Sequence, residues 1–162
     1  MAEYDLAFAA RLADVASEVQ QKEPHAYDAR RLVAYLSRLS VEITLKSLLE
    51  RAGTPLKDIK ARSHNLRALL SDLGECEVQV EVAPGILAWS SAARLRAVTV
   101  DLGLAQVPIG ELIAAEDNGA SQYPNQIRYG ETVIDMHPTL LASMATLAAS
   151  WAKEHWATIR LR

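Results

Sequence analysis

The 162-residue chain has a single cysteine, which excludes a disulfide framework and any multi-cysteine zinc or iron–sulfur site. It has only 7 glycines and 6 prolines, few for a turn-rich all-β domain. Aromatic residues are 6% of the chain, and the formal net charge is −3. There is thus no global basic field for tight nonspecific nucleic-acid binding, though one face can still be basic. Half of the residues are apolar, which excludes wholesale disorder. No apolar run reaches the roughly 18 residues of a membrane span, and the nearest, residues 139–152, reads as core helix. The acidic start Met1-Ala2-Glu3-Tyr4-Asp5 lacks the positive region of a signal peptide. A P-loop, a dinucleotide fingerprint and Gly-x-Ser-x-Gly are all missing. These features predict a cytoplasmic protein of one domain, residues 1–162.

What is present is helical periodicity. Over residues 2–23, Leu6, Ala9, Ala10, Leu12, Ala13, Ala16 and Val19 recur at steps of three and four, and Pro24 stops the run. Residues 26–52 carry the strongest pattern. Leu32, Leu36, Leu39 and Ile43 form one stripe, and Val41, Leu45, Leu48 and Ala52 make the opposite side apolar too. A helix apolar on both sides is central in its domain, and Gly53 followed by Pro55 marks its end. Residues 54–63 form a polar connection, after which 66–73 read as a short helix.

Residues 77–82 alternate as a half-buried strand does, but a lone strand has no partner, so they are expected to be extended linker or helix fray. A helix is expected over about 85–100, a short one near 109–115, and a long loop over 116–130 with turn signals at Asn118-Gly119 and Tyr123-Pro124-Asn125. The last helix is predicted from Pro138 to about Arg160, with Asp135 placed to favour its N-terminus. The sum is an all-α up-and-down bundle of four main helices plus short ones.

The chemistry is sparse. His25, His64, His137 and His155 have no partner at a metal-ligand spacing, and Cys76 has no nearby Cys or His, so no metal and no cofactor are expected. Glu42 and Lys46 stand at the favourable i, i+4 spacing for a helix ion pair. Either the Lys46 stem snorkels with its head in water, or the pair sits at a dimer seam or cleft. His64 either caps the following helix or hydrogen-bonds across the connection. Arg128 and Tyr129 either close the loop, with Arg128 on a carboxylate, or meet a ligand. Arg30, Arg31, Arg38, Lys57, Lys60, Arg62 and Arg67 make the first hairpin half basic, as a solvated face or as one turned to RNA or a nucleotide.

The run Glu42-Ile43-Thr44-Leu45-Lys46-Ser47-Leu48-Leu49, then Gly53, a basic connection, and His64-Asn65-Leu66 with Leu69 and Leu70, resembles the HEPN family of small helical domains. Ile127-Arg128-Tyr129-Gly130 is similar to the arginine-tyrosine-proline that many members carry before the last helix, with Gly130 in place of the proline. The resemblance implies a bundle of four to five main helices, a homodimer, and a cleft that binds nucleotide or RNA. It also implies a toxin–antitoxin or defence setting, with a cognate antitoxin as partner. Glu42, Lys46, Tyr129 and Arg62 are then ligand-binding candidates.

In the family's ribonucleases a histidine handles protons at the 2′-OH and an arginine stabilises phosphate charge. This sequence departs from their arginine–histidine spacing. Arg62 and His64 are too close, Arg128 and His137 have eight residues between them, and His155 precedes Arg160. A catalytic pair would need folding to bring Arg128 toward His64, or a dimer to supply it. The expected function is a HEPN-like nucleotide- or RNA-binding module without the standard catalytic motif. The alternatives are an active metal-independent endoribonuclease toxin and a structural, partner-binding bundle.

Overall fold

The computed structural model describes residues 2–103, 105–130 and 132–162. Its centre is three long helices. Helix α1 (Leu6–Lys22) starts at Asp5, whose carboxylate accepts from the amides of Ala7 and Phe8 and so satisfies two otherwise unpaired donors. Helix α2 (Tyr27–Ala52) ends at Gly53, whose left-handed backbone (φ +102°) is one that glycine takes without a Cβ clash. Short α3 (Leu56–Ala61) and α4 (Leu66–Asp72) come next, followed further along by α5 (Ile109–Ile113), α6 (Asn125–Tyr129) and the long α7 (Pro138–His155).

Helices α1 and α7 pack on α2 and on each other. Ala9, Ala13 and Ala16 of α1 and Ala142, Ala145, Ala148, Ala149 and Ala152 of α7 are buried, so small side chains let the three axes approach closely. Leu45, Leu48 and Leu49 of α2, with Leu141 and Met144 of α7, fill the same core, and α4 adds Leu66, Leu69 and Leu70. The expected stripe is not the deepest face of α2. Leu32 is 44% exposed and Leu36, Leu39 and Ile43 are half-buried, while Val33, Ala34, Val41 and Leu45 are fully enclosed. In a helix apolar on both sides, periodicity identifies the helix but not which side its neighbours choose.

The fold is mixed α/β, not all-α. Strand β1 (Cys76–Ala83) pairs antiparallel with β2 (Ile86–Ser91) and with β5 (Arg160–Leu161), in the order β2-β1-β5. Strands β3 (Thr99–Asp101) and β4 (Gln106–Pro108) form a second, two-stranded antiparallel sheet. The alternation at 77–82 is therefore a strand, and the expectation of a partnerless linker fails. One partner follows directly through the tight turn at Pro84 and Gly85 (φ +74°), and the other arrives from the far end of the chain.

Residues 85–100 are correspondingly not a helix. They hold β2, a 3₁₀ turn over Ala92–Ala97 led by the Ser91 hydroxyl, and the start of β3. Helix α7 begins at Pro138 as expected but stops at His155, because the last residues leave it to pair with Cys76 and Glu77. The polar connection 54–63 contains α3, and the long loop 116–130 contains α6. Among the described residues, no helix is long and apolar enough to cross a membrane.

Candidate functional site

Glu42 and Lys46 lie one turn apart on the face of α2 that meets α4. Both are buried, at 4% and 7% exposure, and Lys46 Nζ donates to Glu42 Oε1 at 2.8 Å. The snorkelling lysine is thus set aside in favour of the enclosed pair. A buried carboxylate is costly unless donors surround it, and Glu42 has two more. His64 Nδ1 lies 3.0 Å from Oε2, and the Tyr123 hydroxyl donates to the same oxygen at 2.7 Å. Burial first, and the Glu42 charge second, push the Tyr123 phenol far above its ordinary range, so it stays protonated as a donor.

Local geometry delivers His64 to this spot. Ser63 takes a left-handed backbone (φ +50°) that turns the chain out of α3, and Asn65 caps α4 by accepting from the Ala68 amide. The cap is therefore Asn65, and His64 is free to reach across the connection to α2. Tyr123 comes from the loop before α6, held by its amide on Glu116 Oε1 at 2.6 Å.

A cleft of about 730 Å³ opens over these groups, with His64 and Tyr123 in its wall and Arg62, Arg67, Glu116 and Asp117 around it. That volume lies within the range of small-molecule clefts. The His64 side chain is half exposed there. Arg62 is committed to Asp72 through two hydrogen bonds, at 2.7 and 2.9 Å, and Arg67 lies 2.6 Å from Asp117. Arg62 thus borders the cleft as a tied residue.

Arg128 and Tyr129 occupy the end of α6. Arg128 has no carboxylate partner among the described residues; its guanidinium lies 5.0 Å from the Tyr129 ring and 5.9 Å from that of Tyr35. Asp135 is taken by Arg38, in a buried two-pronged pair at 2.5 and 2.8 Å. Asp135 also accepts from the Met136 amide just ahead of α7, whose first turn is capped by the His137 ring accepting from the Thr139 amide. Arg31 donates to the carbonyls of Ile127 and Arg128 and so fixes α6 against α2. Tyr129 is 72% exposed, and with Tyr35, Arg31 and Arg128 it lines a second cavity of about 470 Å³.

The fold does not bring Arg128 against His64. Among the described residues the two are linked through rings: His64 to Tyr123 edge-on at 6.0 Å, Tyr123 to Tyr35 at 5.9 Å, and Tyr35 to Arg128. Glu42, Lys46 and His64 are gathered as one unit, Arg62 lies on its border, and Tyr129 lies beyond the tyrosines. Tyr123 and Tyr35 were not legible as site residues. Tyr123 stood in the sequence only as part of a turn signal, 81 positions from Glu42.

Cys76 is buried and its thiol is pushed up to about 11 by desolvation, which keeps it protonated and unreactive near neutral pH. Among the described residues, no three His, Cys, Asp or Glu side chains cluster as a metal site would require. No family model matches the chain, and neither a curated protein nor a solved structure matches it.

Proposed function

We propose that the chain binds a nucleotide or single-stranded RNA at the His64 cleft, as a HEPN-like module of a toxin–antitoxin or defence system. The observation that carries this reading is the Glu42 cluster. It holds His64 by Nδ1 beside an open cleft, so the other ring nitrogen is left for a ligand hydroxyl or phosphate. The exposed Tyr129 ring, with the Arg128 cation over it, supports the same reading, since bases stack on such surfaces.

Fluorescence anisotropy with a short labelled RNA tests it, together with thermal melts in ATP and GTP. Binding should weaken as salt rises, and His64→Ala and Tyr129→Ala should each weaken it. A ligand at 100 times its dissociation constant adds about 2.7 kcal/mol of stability. Absence of binding and of any thermal shift would leave the partner-binding bundle as the better reading. The homodimer belongs to the same proposal, and light scattering at the mass of one chain would remove it.

One observation favours the endoribonuclease alternative. A carboxylate on Nδ1 orients an imidazole as a general base. In that reaction Nε2 takes the 2′-OH proton and the alkoxide attacks the adjacent phosphorus. The bond to the 5′ oxygen then breaks and that oxygen takes a proton from water, whose hydroxide is neutralised by the imidazolium, giving a 2′,3′-cyclic phosphate and a 5′-hydroxyl. Arg128 meets Tyr35 and Tyr129 rather than His64 among the described residues, which argues against it, because charge developing at phosphorus needs a cation at hand. RNA left intact by the wild type in chelator excludes this alternative.

A further inference from the structure

We infer that Tyr123 is a positioning residue: by donating to Glu42 it fixes the carboxylate that holds His64 in the Nδ1–H tautomer, with Nε2 as the basic nitrogen. An ionised carboxylate only accepts hydrogen bonds. Lys46 donates to Oε1 and the Tyr123 hydroxyl to Oε2, so both oxygens of Glu42 already serve as acceptors. The remaining contact, His64 Nδ1 to Oε2, must then carry its proton on the imidazole. A free histidine side chain prefers the Nε2–H tautomer, so the cluster inverts the intrinsic preference.

Tyr123 also sets the ring's angle. Its ring meets the imidazole edge-on, with an interplanar angle of 89°. The other charged groups at the cleft do not compete for Glu42. Arg62 is tied to Asp72, Arg67 to Asp117, and Glu116 receives the Tyr123 amide. That Nε2 then handles a ligand proton rests on the proposed function, whereas the tautomer does not.

The experiment is nitrogen-15 NMR of the histidine rings in the full chain, in alkaline buffer. For His64 the expected spectrum shows a pyrrole-type Nδ1 and a pyridine-type Nε2. Tyr123→Phe should move the population toward Nε2–H, and Glu42→Gln should abolish the preference. A wild-type His64 with Nε2–H, or with the mixture seen in free histidine, overturns the inference. An unchanged tautomer in folded Tyr123→Phe removes Tyr123 from the positioning role.

Should that variant fail to fold, fluorotyrosine replaces it. Its more acidic phenol donates more strongly to Glu42, and a His64 spectrum that does not respond overturns the role. RNA titrated into the same samples separates the two claims. No RNA binding with an Nδ1–H His64 defeats the function and leaves the positioning intact. RNA binding with an Nε2–H His64 does the reverse.

Discussion

Glu42 and Arg128 stand at two ends of one row of aromatic rings and are held in opposite ways. Glu42 is enclosed and receives three donors. Arg128 is exposed, and among the described residues its side chain meets the rings of Tyr35 and Tyr129. The difference separates two jobs. A buried polar cluster has one workable geometry, because every member that leaves strands another away from water. An exposed cation over a ring has many geometries, each nearly equal in energy. Damage at the Glu42 end should therefore appear as lost folding, and damage at the Arg128 end as lost binding.

The largest expected effect is at Glu42. Glu42→Ala leaves Lys46 buried without its partner, and urea unfolding should show a loss of about 3–5 kcal/mol. A loss below about 1 kcal/mol, the scale of exposed pairs, would erase the contrast between the two ends. Next is Tyr129→Ala. Its stability should stay within about 0.5 kcal/mol of wild type, while RNA affinity should drop by about 1–3 kcal/mol, read by anisotropy. Tyr123→Phe removes one donor but keeps the ring, so a melt should show a loss of roughly 1–2 kcal/mol.

The smallest effect is at a third place, remote from both ends. Burial lowers the His155 imidazole below its usual 6.5. Its neutral form is favoured in the folded chain, so the unfolded chain binds the proton more readily. Its contribution to stability is fully present above 6.5 and is lost as pH falls from there toward the depressed folded value. Melting temperature should decline slightly over that interval, and His155→Gln should flatten the decline.

Helices were legible where their signal is local. The α2 pattern, its glycine stop, the proline start of α7 and the i, i+4 spacing of Glu42 and Lys46 all lie within a few turns of chain. The sheet was not legible, because a strand is defined by its partner. Glu77 pairs with Ser91 on one side and Arg160 on the other, and nothing around Glu77 announces Arg160. Half of the site divides in the same way. Glu42, Lys46 and His64 come from neighbouring elements and share one short motif. Tyr123 supplies the third donor from a loop whose local pattern speaks only of a turn. Arg128 was legible as a candidate, but its position behind two tyrosine rings depends on how α6 docks on α2.

Titrating short single-stranded RNA into nitrogen-15-labelled protein tests the central claim most directly. The expected shifts gather on Asn65, Arg67 and Tyr123 around His64, and on Tyr129. Shifts that gather instead around Trp89 of β2 and Trp151 of α7, or none at all, would contradict a nucleic-acid site at His64.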